Sequence, residues 1–195
     1  MSSPGALESL EVTSEAPALA GAIVLITGIM AAGKSTVAQA LAERLPVSVH
    51  LRGDLFRKMI VNGRAEVTPE NWDAAERQLH LRYRLATNVA REYAAAGFAV
   101  VYQDVILGAD VQRVVTLLDP RRQPVHVVVL APSAEVAAER DMRRPKTGYG
   151  AWTAAELDES LRNETAPIGL WLDTSALTVE ETVDATLTRL ADARV

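Results

Sequence analysis

The chain has 195 residues, room for one domain with an ample core, and its 49% hydrophobic and 23% charged content is that of an ordinary soluble globular protein. A formal net charge of −5 gives no electrostatic footprint for nucleic acid or an anionic membrane, and no apolar stretch reaches the length of a bilayer span. Cysteine is absent, which removes disulfides and thiolate zinc sites, and the three histidines (His50, His80, His126) are too scattered to suggest a metal cluster.

Residues 1–20 mix Ser, Pro, Glu and Gly with little periodicity and read as a mobile leader or a short added helix. The opening Met1-Ser2-Ser3-Pro4-Gly5 lacks the basic start and apolar core of a signal peptide, so a cytoplasmic location is expected. From Ala22 onward short apolar runs alternate with helical segments. Strands are predicted at 22–27, 47–52, 98–103, 125–131 and 168–173, and helices near 34–45, 54–61, 70–96, 110–118, 133–143, 153–164 and 178–192. Two helix starts carry their own signals: Thr68-Pro69-Glu70 puts proline near the first turn, and Thr178-Val179-Glu180-Glu181 spells a capping box. In the long segment 70–96 most of the stripe Trp72, Leu79, Tyr83, Leu85, Ala86, Val89 and Tyr93 is expected to pack in the core. The alternation predicts an α/β fold, a five-stranded, mainly parallel sheet with helices on both faces, formed by residues 21–195 as one domain.

Between the first strand and the first helix stands Gly28-Ile29-Met30-Ala31-Ala32-Gly33-Lys34-Ser35, which fits the phosphate-binding pattern G-x-x-x-x-G-K-[ST] in its required strand, loop and helix context. Chance yields such a match in on the order of one in a thousand chains of this makeup. Terminal glycines let the loop curl so that backbone N–H groups cradle phosphate oxygens, and the helix N-terminus adds positive potential. Lys34 reaches the β- and γ-phosphates in such a loop, Ser35 offers its hydroxyl to Mg²⁺, and the contact surface runs from Gly28 to Thr36. Only three of the 20 basic residues are lysines (Lys34, Lys58, Lys146), so a lysine kept in this loop suggests a compact point charge that arginine does not supply.

Ligands of open parallel sheets sit beyond the carboxyl ends of the strands. The second strand runs into Leu51-Arg52-Gly53-Asp54-Leu55-Phe56-Arg57, which places Asp54 beside the phosphates as a proton acceptor or a holder of Mg²⁺-bound water, or as a helix N-cap. Arg57, one turn on, can hold an acceptor or a phosphate, or lie solvated on the surface. The third strand ends in Gln103-Asp104, where Asp104 can bind substrate, hold the Mg²⁺ water shell or serve as the base in place of Asp54. The run from Glu139 to Gly150 concentrates Arg140, Arg143, Arg144 and Lys146, then breaks at Pro145 and two glycines. Charge followed by hinges is what a lid near 140–150 needs, with Arg140 and Arg144 as its phosphate or base contacts. The last strand ends in the polar turn Asp173-Thr174-Ser175, at an edge able to reach a nucleotide base.

With these pieces the chain resembles the chloramphenicol phosphotransferase family of small P-loop kinases, from about Ile23 to about Leu190. Ala31-Ala32-Gly33-Lys34-Ser35, Gly53-Asp54, the run Gln103-Asp104-Val105-Ile106-Leu107-Gly108 and Leu172-Asp173-Thr174 carry the likeness. The resemblance implies a P-loop NTPase fold of kinase topology, ATP and Mg²⁺ as cofactors, and transfer of the γ-phosphoryl group to a hydroxyl of an antibiotic-like or metabolite small molecule, hence an antibiotic-resistance role. Carried over by motif position, Asp54 is the general base, Gly28–Thr36 the nucleotide loop and Arg140 a lid residue. Where the family has paired acids after the third strand, this chain has Gln103-Asp104. Nucleoside or sugar phosphorylation, a nucleotide-binding switch, and GTP in place of ATP stand as alternatives, with Trp72, Arg82, Tyr83 and Arg84 available on the acceptor side.

Overall fold

The computed structural model describes residues 19–66, 68, 71–143 and 152–195. Five strands form one parallel sheet: β1 (Ile23–Thr27), β2 (Ser48–Arg52), β3 (Ala99–Gln103), β4 (Val125–Leu130) and β5 (Leu170–Leu172), in the order β2-β3-β1-β4-β5. β1, β3 and β4 are buried along their whole length, which is why they read as unbroken apolar runs and not as alternating ones. β2 is an edge strand and only half-buried, and its sequence Ser-Val-His-Leu-Arg is correspondingly mixed.

Seven helices connect and cover the sheet among the described residues: α1 (Lys34–Glu43), α2 (Asp54–Lys58), α3 (Trp72–Ala95), α4 (Ala109–Leu118), α5 (Ala134–Met142), α6 (Ala154–Glu164) and α7 (Val179–Thr188). α1 packs on β3 and against α7, and α3 packs on β3 and against α4, so the two pairs sandwich the sheet. The core holds Ile23, Leu25, Ile26, Leu41, Tyr102, Leu118 and Leu130 with almost no exposure, each contributing roughly 1.5–3 kcal/mol by burial.

Caps explain where several helices start. Thr178 and Glu181 form the expected capping box, and Thr153 with Glu156 forms a second one. The expected start at Thr68-Pro69-Glu70 falls partly outside the described residues, as does most of the leader. Of the stripe predicted to be core on α3, Tyr83 and Ala86 are buried and Leu79 and Val89 pack against the core, but Trp72, Leu85 and Tyr93 are exposed by more than 40%. α2 ends at Lys58, not near residue 61, and leaves Met59 and Val61 in solvent. β5 is shorter than its apolar run because Gly169 has φ +73, and a Cβ there would meet the Val127 carbonyl oxygen at 2.3 Å. The lower part of β4 is closed instead by the chain's last residues, with Val127 N donating to Ala193 O at 2.7 Å and Val195 N to Val125 O at 3.1 Å.

Candidate active site

The loop after β1 has the geometry its spelling requires. Gly28 has φ +142, and a Cβ there would lie 2.3 Å from the Leu130 carbonyl oxygen at the end of β4, so the loop can leave the sheet only through glycine. Ala31 has φ +61, a left-handed backbone uncommon for a residue with a Cβ, and Gly33 has φ +94 as it opens α1. No side chain caps α1 and no acid stands in its first turn, so its positive end faces the loop uncompensated. Lys34 is buried to 7% exposure and its Nζ donates to the Ile29 carbonyl at 2.7 Å, which folds the ammonium over the loop. Ile29, Ala31 and Ala32 are buried and Met30 half-buried, whereas Ser35 and Thr36 are exposed. A curled loop with an inward lysine and an outward hydroxyl fits a nucleotide phosphate chain, with Ser35 the residue that would hold Mg²⁺.

Asp54 follows β2 as the first residue of α2 and does not act as an N-cap; that position belongs to Gly53. Its carboxylate is 35% exposed, bonded through Oδ2 to Lys58 Nζ, with Arg52 Nε 3.5 Å from Oδ1. Burial pushes its pKa up, but the Lys58 hydrogen bond and the Arg52 charge outweigh it and hold the carboxyl below its ordinary value. Asp54 is therefore an ionised, partly accessible carboxylate at the carboxyl edge of the sheet.

Asp104 is placed differently. Its side chain is 2% exposed, and Arg82 reaches it from α3 with two nitrogens: Nε to Oδ2 at 2.8 Å and Nη2 to Oδ1. Val105 N donates to Oδ1 at 2.7 Å and the Tyr102 hydroxyl approaches Oδ2 at 3.4 Å. Four donors meet a group with about four lone-pair sites, so the carboxylate is fully engaged. Burial raises its pKa while Arg82, Val105 N and the Lys34 charge work the other way, and despite burial Asp104 lifts that of Arg82. Gly53 lies directly against this pair: a Cβ on it would sit 1.9 Å from Asp104 Oδ2, although its φ of −62 suits any residue. Gly53→Ala is expected to displace Asp104 and cost about 1–3 kcal/mol, measured by urea unfolding; a change within a few tenths would show that the contact relaxes freely.

On the other side of the P-loop a cleft of about 310 Å³ is lined by Ala31, Gly33, Thr36, Arg140, Thr174 and Leu177, among others. Arg140 Nη2 donates to the Thr174 carbonyl at 2.8 Å, which ties α5 to the turn after β5. That turn is built by Asp173, whose Oδ1 accepts from Ser175 N at 2.9 Å and Ser175 Oγ at 2.6 Å. The Thr174 hydroxyl is buried without a hydrogen-bond partner. Arg140 thus lies on α5 and lines the cleft beside the loop, whereas Arg144 and the segment from 144 to 150 expected as a lid lie outside the described residues.

The remaining candidates are engaged with other parts of the protein. Arg57 donates to the Ala65 carbonyl at 3.1 Å and to Glu66 at 2.9 Å, holding the segment that follows α2. Tyr83 is buried with its hydroxyl on the Val105 carbonyl, Arg82 is spent on Asp104, and Trp72 meets Trp152 edge-on at 6.4 Å. His50 bonds Gln39, His80 contacts Asp110, and His126 bonds the Leu190 carbonyl. Arg52 and Gly53 had no role assigned from the sequence. The available signal was that Arg52 is the one full charge in β2, two positions from Asp54.

Comparison with known proteins agrees with this geometry. A family model described as an AAA domain matches residues 23–167. The chain belongs to this AAA-domain family. It is 31% identical over 149 residues to a UPF0200 protein of Aeropyrum pernix, covering 71% of this chain and 73% of that protein. Among solved structures it is similar to an APS kinase of Mycobacterium tuberculosis in complex with AMPPNP and APS (TM-score 0.65, 19% identity, 88% of this chain and 98% of that one). It is also similar to the tunicamycin resistance protein of Deinococcus radiodurans (TM-score 0.61, 22% identity, 89% and 97%). These likenesses establish the P-loop kinase fold of the AAA-domain chain. Among its described residues no helix is long and apolar enough to cross a membrane.

Proposed function

We propose that this chain is an ATP-dependent small-molecule kinase that transfers the γ-phosphoryl group to an alcohol. The observation that carries this reading is the pairing of a complete P-loop, with inward Lys34 and outward Ser35, with the ionised, partly exposed Asp54 two strands away on the same sheet edge. Mg²⁺ bound with the nucleotide supplies neutralisation of the phosphate charge, and Ser35 would hold it. The acceptor oxygen forms the new bond to the γ-phosphorus, the bridging bond to the β-phosphate breaks, and the hydroxyl proton passes to Asp54. Lys34 stabilises charge on the phosphoryl oxygens, and the cleft beside Arg140 and Thr174 takes the base and ribose. Asp104, fully engaged by Arg82, fixes α3 to the end of β3. The acceptor is an antibiotic-like compound, as in the resembled phosphotransferases and in keeping with the tunicamycin resistance fold, or a hydroxylated metabolite such as a sugar or nucleoside.

The test is ADP release from Mg·ATP with and without chloramphenicol, tunicamycin, sugars and nucleosides and their anionic counterparts (sugar acids and nucleotides), run beside Lys34→Ala. Acceptor-stimulated release that the variant loses supports the kinase; slow hydrolysis that no acceptor changes favours a nucleotide switch. Asp54→Asn is expected to keep ATP affinity and lower transfer by about 10²–10⁴-fold, and undiminished transfer would remove Asp54 as the base. Because the folded protein holds this carboxyl below its ordinary value, transfer should stay level as pH drops through the usual carboxylate range and fall only beneath it. The same group's contribution to stability is full at neutral pH and lost as pH falls through the folded value.

A further inference from the structure

Neither oxygen of Asp54 is free. Oδ2 is bonded to Lys58, and Oδ1 faces Arg52 Nε at 3.5 Å, an ion pair too long for a charge-assisted hydrogen bond. Arg52 Nε and Asp54 Oδ1 are both buried atoms without a hydrogen-bond partner. Yet the Arg52 side chain is 43% exposed, and its ion pair among the described residues is the long one to Asp54. Apart from Nε, which is turned to Asp54, the donors of this planar fork stand beside the proposed base open to a ligand.

The strand shows where that fork stands. Side chains alternate across a strand, and Ser48 and His50 both lie on the α1 face of β2, through Ser48 Oγ to the Ala42 carbonyl at 2.6 Å and His50 Nδ1 to Gln39 at 2.7 Å. Each step along β2 climbs α1 toward its start, so Arg52 comes level with the first turn of α1, where Ser35 and Thr36 are exposed. The charge around it is one-sided. Between residues 52 and 66 four cations (Arg52, Arg57, Lys58, Arg64) face two acids (Asp54, Glu66), in a chain whose net charge is −5.

Resting on the kinase reading above, we propose that the acceptor is a hydroxylated oxyanion, a carboxylate or a phosphate or sulfate ester, whose anionic group takes the guanidinium of Arg52. Binding draws Arg52 from Asp54 Oδ1, which then receives the proton of the acceptor hydroxyl as the γ-phosphoryl group is transferred. A neutral alcohol leaves the arginine on the carboxylate and the base covered. Arg52 is therefore the residue that sets acceptor charge.

The experiment uses matched pairs that differ in charge: gluconate with sorbitol, glycerate with glycerol, AMP with adenosine. ADP release from Mg·ATP is measured for the wild type, Arg52→Gln and Arg52→Lys, with thermal unfolding to verify that each folds. The charged member of at least one pair should exceed its neutral partner by tenfold or more in kcat/KM. Arg52→Gln should erase most of that ratio, chiefly through KM, and Arg52→Lys should restore part of it. A merely structural role would lower both members alike, and that result, or equal use of neutral acceptors in every pair, overturns the proposal while leaving a kinase in place. Absence of Lys34-dependent release with charged and neutral acceptors together overturns both readings.

Discussion

Replacing Lys34 by alanine is expected to lower turnover by about two to three orders of magnitude and to weaken Mg·ATP binding. The ammonium is buried in the loop at 7% exposure and anchored on the Ile29 carbonyl, so it is positioned before any phosphate arrives and spends little reorganisation on binding. Lys34→Arg should rescue poorly, because a planar guanidinium does not fit the space of a compact, buried ammonium held on the Ile29 carbonyl. A fluorescent ATP analogue titrated into the wild type and both variants, with ADP release measured in parallel, separates affinity from turnover. Retained affinity and turnover in Lys34→Ala would show that the loop binds no phosphate.

Arg82→Ala is expected to destabilise the protein by about 3–5 kcal/mol, because it leaves the Asp104 carboxylate buried without its partner. The pair has side-chain exposures of 13% and 2%, and water cannot replace the lost donors without opening the contact between β3, α3 and Gly53. For a chain of this length that loss lowers Tm by on the order of 10 °C. The combined variant Arg82→Met with Asp104→Leu should recover most of the stability, since removing both charges costs far less than stranding one. Urea unfolding of Arg82→Met, Asp104→Leu and the combined variant, beside Arg82→Ala, closes the cycle. A single variant within 1 kcal/mol of wild type would mean that the pair is not the clamp described.

The parts of the site that were legible in the sequence are those whose chemistry is local. The P-loop is eight consecutive residues, and its glycines adopt the positive φ values that the spelling demands. Asp54 was legible because a strand end fixes its location whatever surrounds it. Asp104 was placed at the right edge for the same reason, but its engagement depends on Arg82, 22 positions earlier on a different element, and no local pattern joins them. Gly53 reads as an ordinary turn glycine; only the approach of Asp104 explains why a side chain is excluded there. On α3 the helical period was right, and Leu79, Tyr83, Ala86 and Val89 pack inward, but Trp72, Leu85 and Tyr93 stay more than 40% exposed because the period gives a face and not its depth.

The order β2-β3-β1-β4-β5 puts the nucleotide loop on a strand enclosed from both sides and Asp54 on a strand with a neighbour on one side only. On the proposed kinase reading, the half of the molecule that would handle ATP is locked into the interior, while the half that would meet the acceptor hangs from a rim. Insertions or exchanges after β2 can therefore reshape what is phosphorylated without disturbing how ATP is held. Grafting the segment between α2 and α3 from another such kinase is the natural way to redirect this chain to a new alcohol.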